Sequence, residues 1–166
     1  MIGFIILLAT YRRFRFTNFV YGLIAVHAMI LMIGGHYTYA EVPLFNWLRD
    51  MGIFTRNNYD KIGHFMQGFV PALVAREIIL RNGVVKRGGW LFFIVISIAL
   101  AISALYELFE WGVSVATGSA GDAFLGTQGY VWDTQSDMLF ALVGALVALW
   151  LFSRLHDRAL EKGVEE

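Results

Sequence analysis

Two uncharged and almost wholly apolar runs, Phe19 to Gly35 and Trp90 to Tyr106, each have about the length a helix needs to cross a ~30 Å hydrocarbon core. Inside a bilayer the backbone must satisfy its own hydrogen bonds, so such runs leave the chain little choice but a bundle of helices. Composition agrees: 58% of the residues are hydrophobic and 16% charged, which sets the chain apart from a soluble globular domain. The absence of cysteine excludes disulfides, thiolate nucleophiles and cysteine-ligated zinc. A formal net charge of +0, with the basic residues in short connections, gives no sign of a nucleic-acid partner. With 166 residues there is room for one compact domain, 1–166, and no separate soluble one.

Met138 to Phe152, continued upstream through Ser136 and Asp137, predicts a third span. Ile62 to Ala75, with His64, Gln67 and Pro71, predicts a polar fourth. Ile2 to Ala9 is about half the length required and reads as the cytoplasm-proximal half of a first helix. Its positive charges follow the apolar run rather than precede it, unlike those of a signal peptide. The expected fold is an all-α integral membrane protein with four full transmembrane helices and a short N-terminal one, over about 1–10, 18–36, 59–80, 88–114 and 134–154. Pro43 at a first-turn position, with Leu44, Trp47, Leu48 and Met51 on one face, adds a short interfacial helix near 43–51.

Orientation follows from Lys and Arg. Arg12, Arg13 and Arg15, then Arg81, Lys86 and Arg87, then Arg154, Arg158 and Lys162 mark three cytoplasmic regions, including the C-terminus. The connections Tyr37 to Tyr59 and Thr117 to Asp133 hold only Arg49 and Arg56 and are expected outside. Three ionisable pairs at helical spacing border those outer connections: Asp60 with His64, Glu107 with Glu110, and Asp133 with Asp137. Ionisable groups at membrane depth are expensive, so the pairs are candidates for one outward-facing acidic site.

Helical phase supports a meeting. Asp60, His64, Gln67 and Pro71 fall on one stripe, as do Ser103, Glu107, Glu110 and Ser114. Asp133 and Asp137 lie above Ala141, Gly144 and Ala148, a small-residue face suited to close packing. Each pair also has a plainer reading. Asp60 could cap its helix, and Thr134 with Asp137 could form a capping box. Glu107 and Glu110 resist such a reading, because two carboxylates late in a helix repel each other and oppose its dipole. His27 lies about 180° around its helix from His36, so the two cannot share a site; tertiary hydrogen bonding is the expected role of His27. Arg76-Glu77 reads as a solvated or paired cytoplasmic end.

The segment Gly118 to Trp132 is too long for a simple turn, and its glycines allow close backbone approach to a ligand. The runs Asp60-Lys61-Ile62-Gly63-His64-Phe65 and Tyr106-Glu107-Leu108-Phe109-Glu110, followed by Asp137 and Gly144, resemble the VanZ-like membrane proteins. More closely, Glu107-Leu-Phe-Glu-Trp111 and Phe124-Leu-Gly-Thr-Gln-Gly-Tyr-Val-Trp-Asp-Thr-Gln-Ser-Asp-Met138 resemble the YjdF-like family of bacterial inner-membrane proteins, a domain of unknown function. The resemblance implies a multi-pass protein of the bacterial inner membrane and, through VanZ, a loose link to the cell envelope. The commoner VanZ-like pattern has Gln where Glu110 stands and Asn in the last motif, so this chain is the more acidic.

Oxygen ligands with one imidazole suit Zn, Mn, Fe or Mg, and facing helices can build such a site. The candidate metal ligands are His64, Glu107, Glu110 and Asp137, with Asp60 and Asp133 as candidate catalytic carboxylates. His36, Glu41, Gln67, Ser103, Tyr106, Gln128 and Gln135 are candidate supporting groups. A bound divalent ion would support hydrolysis or transfer on an outer-leaflet lipid or an envelope precursor. The alternatives are a proton- or cation-coupled transporter and a non-catalytic envelope protein with a structural polar network. Below Gln67 and Ser103 the stripes turn mostly apolar, which favours a closed pocket over a conduit.

Overall fold

The computed structural model describes residues 2–117 and 130–162. Among them the regular elements are helices: α1 (Ile2–Thr10), α2 (Asn18–His36), α3 (Pro43–Asp50), α4 (Tyr59–Arg81), α5 (Gly89–Thr117), α6 (Asp133–Leu151) and α7 (Ser153–Lys162). Local chemistry sets several of the boundaries. Thr17 caps α2 by accepting from the Val20 N–H at 3.3 Å. Pro43 opens α3, where its missing N–H costs nothing.

Among the described residues three helices, α2, α5 and α6, are long and apolar enough to cross a membrane. The expected fourth span is α4, which has the length at 23 residues but carries Asp60, Lys61, Arg76, Glu77 and Arg81. All of these except Arg81 are buried, so the charges of α4 face protein rather than lipid. α4 packs on α2, α5 and α6, most extensively on α6, and is the axis of the bundle.

Glycine makes the α4–α6 contact close. A Cβ at Gly68 would overlap the carbonyl of Ala141, and one at Gly144 would overlap that of Phe65. Backbone therefore touches backbone on both sides of this seam, as small residues allow between membrane helices. The shared core beneath it includes Val20, Leu73, Val95, Ala99, Ala145 and Ala148. Met32, Phe93 and Trp150 point outward, the last 84% exposed, as lipid-facing side chains of a membrane bundle would be.

The last span ends sooner than the expected 154. α6 stops at Leu151, and the polar run from Ser153 forms the separate helix α7, whose His156 and Leu160 turn back against the bundle. An amphipathic helix of this kind can bury one stripe while its charged face stays wet.

Candidate functional site

The first turns of α4 and α6 lie side by side and build an ionic cluster. Lys61 Nζ is 2.8 Å from Asp133 Oδ1, 2.7 Å from Asp137 Oδ1 and 3.2 Å from Asp60 Oδ2. Arg56, in the connection before α4, places Nη2 2.7 Å from Asp60 Oδ2 and 3.0 Å from Asp133 Oδ1. Both cations lie over the Tyr130 ring. Two cations thus face three buried carboxylates. The capping readings of these aspartates do not hold: the residues before α4 and α6, Asn58 and Trp132, make no side-chain cap, and the acidic groups serve Lys61 and Arg56.

Beside this cluster stands a second group with no such compensation. His64, Glu107 and Glu110 each offer a ligand atom within 4.8 Å of the others. Among the described residues no Lys or Arg forms an ion pair with either glutamate. Glu107 is 6% exposed and takes a side-chain hydrogen bond from Thr134; its Oε1 lies 3.6 Å from His64 Nδ1 and has no hydrogen-bond partner among the described residues. Gln67 Oε1 lies 3.0 Å from His64 Nδ1; a carbonyl oxygen only accepts, so in this amide orientation the neutral ring carries its proton on Nδ1. The Nε2 lone pair then faces Asp137 Oδ2 at 3.6 Å. Two acceptors turned toward each other call for a proton or a cation between them.

The stripe Asp60, His64, Gln67, Pro71 lines one cavity of about 240 Å³ together with His27 and Leu31 of α2, Tyr39, and Ile102, Tyr106 and Glu110 of α5. Tyr106 hydrogen-bonds Glu110. Ser103 is fully buried with its Oγ unpartnered among the described residues. His27 does not find the expected tertiary hydrogen bond: its Nε2 is buried without a partner among the described residues.

Three expected supporting groups stand elsewhere. His36 is exposed and packs edge-on against Tyr37, and Glu41 accepts from Asn46 Nδ2 at 2.9 Å. His36, the last residue of α2, faces away because it stands about 180° around the helix from His27, which lines the cavity. Glu41 is carried away by the turn after α2, where Thr38 and Tyr39 both adopt positive φ (55° and 54°), which also folds the Tyr39 ring back into the cavity. Gln135 is exposed on α6. Gln128, with most of the long segment before α6, lies outside the described residues.

Lys61, Arg56 and Tyr39 are the groups that sequence reasoning missed. For Lys61 a signal was present: a lysine one residue after an aspartate inside a membrane-length helix demands buried partners.

A separate network closes the other end of α4. Glu77, fully buried, accepts from Thr17 N and Thr17 Oγ1 at 2.8 Å each, from Arg81 Nη1 at 3.0 Å and from His156 Nε2 at 3.0 Å. Arg76 Nη1 donates to His156 Nδ1 at 3.0 Å, which fixes the ring as the neutral Nε2–H tautomer, because an arginine only donates. Arg76 and Arg87 both hold Asp157 Oδ1, at 2.7 and 3.1 Å. Burial alone would raise the Asp157 carboxyl, but the hydrogen bonds and charges of the two arginines outweigh it and hold it below the usual carboxylate range. Arg76-Glu77 is therefore paired rather than solvated, with α7 supplying partners that a polar C-terminal stretch gave no reason to expect.

Comparison with known proteins agrees with a membrane bundle. The chain is 52% identical to the inner membrane protein YjdF of Escherichia coli (strain K12) over 157 residues, 95% of this chain and 75% of that protein. No solved structure matches. A family model described as a predicted membrane protein, DUF2238, matches residues 1–158, and the chain belongs to that family.

Proposed function

We propose that the protein is a multi-pass protein of the bacterial inner membrane that holds a divalent cation on His64, Glu107 and Glu110, in a pocket facing outward. On this reading the bound cation polarises a phosphoryl or carbonyl oxygen of an outer-leaflet lipid or envelope precursor and supports its hydrolysis or transfer. Orientation rests on the basic residues near α1, between α4 and α5, and on α7, which mark the cytoplasmic side with the C-terminus. The inner-membrane assignment leans on the relative's name.

The observation that carries the reading is Glu107 Oε1, buried without a hydrogen-bond partner among the described residues, beside a second glutamate and an imidazole that offer ligand atoms within 4.8 Å. A fixed carboxylate of that kind is costly unless a proton or metal compensates it. The ionic cluster divides the labour among the aspartates. Lys61 and Arg56 bridge Asp60 and Asp133, while Asp137 gives Oδ1 to Lys61 and turns Oδ2 toward His64. Asp137 is thus the carboxylate placed to ligate the cation or to take a proton from a water bound to it, with Asp60 and Asp133 anchoring Lys61. Between Gln67 and Arg76, α4 presents only apolar residues and glycine, which supports a closed pocket over a transport path.

Elemental analysis of protein purified without chelator tests the proposal. About one equivalent of a divalent metal is expected in the wild type, with a loss of roughly tenfold or more in affinity for Glu107→Gln and His64→Gln. No stoichiometric metal in the wild type, or equal metal in Glu107→Gln, would overturn it.

A further inference from the structure

We infer that the cavity between α2 and α5 seats a membrane amphiphile, its phosphoryl-bearing head at the His64–Glu110 end, and that His27 hydrogen-bonds a polar group of that ligand at hydrocarbon depth. The head contact rests on the divalent-cation reading; the seat itself rests on separate observations. α2 and α5 each pack along α4 but make at most marginal contact with one another, so α4 forms the floor of a gap between them. The cavity in that gap changes character along its length. Asp60, His64 and Glu110 lie at one end, and Leu31, Pro71 and Ile102 supply apolar wall. Pro71 is two helical turns along α4 from His64, a descent of about 10 Å.

His27 stands near the middle of α2, and its Nε2 is buried in this wall without a partner among the described residues. Lipid tails offer it no hydrogen bond. A ligand that brings an ester, amide or hydroxyl about one turn below its head would offer one. A small water-soluble solute would meet the polar end and leave His27 unmatched, whereas an amphiphile entering sideways from the bilayer matches both.

The test uses the full chain in nanodiscs of phosphatidylethanolamine and phosphatidylglycerol, with a trace of phosphatidylglycerol bearing a diazirine on one acyl chain. Photolabelled positions are mapped by peptide mass spectrometry. Labelling should concentrate at Ile102, several-fold above the lipid-facing Met32 and Phe93. Ile102→Trp, which fills the cavity, should abolish the excess. His27→Leu should lower labelling while raising thermal stability, since it removes a buried ring nitrogen without a partner, and His27→Gln should restore part of the labelling; a merely structural histidine would lose stability instead. Uniform labelling, labelling indifferent to Ile102→Trp, or cross-links to a second protein chain in place of lipid would overturn the inference. Stoichiometric metal with no cavity labelling would sink the lipid seat and spare the cation site. Cavity labelling in protein that binds no metal would support the seat and sink the cation site.

Discussion

Glu77 and Glu107 are both buried glutamates in the same small bundle, on helices that pack against each other, and their surroundings differ in kind. Glu77 accepts from two groups of Thr17, from Arg81 and from His156, with Arg76 and Asp157 completing the set around the imidazole. Glu107 keeps one oxygen with no partner among the described residues, and Ser103 Oγ, His27 Nε2 and Asp60 Oδ1 nearby are in the same condition. A satisfied buried network needs nothing from outside and fixes which helix stands against which. An unsatisfied one spends stability and persists where binding restores it. The contrast fits an architectural role at one end of α4 and, on the proposed reading, ligand handling at the other.

The largest effect should come from the satisfied end. Glu77→Gln sets an amide N–H₂ against the Nε2–H of His156 or the N–H of Thr17 and leaves Arg81 without its carboxylate. Removing one partner of a buried ion pair costs about 3–5 kcal/mol. Unfolding in detergent should show a loss of that order, while metal per folded molecule stays as in the wild type. Wild-type stability in Glu77→Gln would erase the contrast. Gly68→Ala should rank next, because its new methyl meets the Ala141 carbonyl across the α4–α6 seam. A loss of about 1–3 kcal/mol is expected from such overpacking. The variant should also weaken the cation site, since Lys61 and Asp137 face each other across the same seam.

How much of this was legible in the sequence depended on how far each interaction reaches. The ends of α2 follow from an apolar run between Thr17 and a polar turn, and the pairs on α4, α5 and α6 follow from i,i+3 and i,i+4 spacing. Their convergence on one side was legible through charge asymmetry and helical phase. Lys61 was harder: its partners on α6 are 72 and 76 residues away, and no local pattern announces a tertiary ion pair. His156 sits in a stretch whose composition suits a solvated tail, and only the break after Leu151 turns it inward. The position of His36 was legible in its phase, opposite His27 on α2, whereas the misplacement of Glu41 has a different origin. Two successive non-glycine residues with positive φ, Thr38 and Tyr39, are rare enough that no sequence rule anticipates them.

Glu107 should behave in the opposite way to Glu77. Glu107→Gln in metal-free protein should change stability by less than about 1 kcal/mol, since Oε1 has no hydrogen bond to lose among the described residues and the amide oxygen can still accept from Thr134. The difference should emerge only with metal. At a free-ion concentration near a hundred times the dissociation constant, the wild type should gain about 2.7 kcal/mol by mass action, and the variant almost none. Melting curves with and without added Zn or Mn report it. Equal gains in both proteins would return Glu107 to a structural role.

The smallest effect concerns pH at the satisfied end. Asp157 lies on α7, outside the spans, with its side chain 27% exposed, and the two arginines hold its carboxyl below the usual range despite partial burial. A folded-state value below the unfolded one, near 4, makes the contribution fully present above that point and lost as pH falls through the lower folded value. Between pH 5 and 8 it is therefore flat. Asp157→Asn should cost about 1 kcal/mol or less at pH 7, solvent screening included, and the gap to the wild type should narrow toward pH 3. A gap that is constant with pH would mean that Asp157 acts by packing alone. Metal binding at the Glu107 end should also weaken on acidification, because protons compete directly for an imidazole and carboxylate ligands.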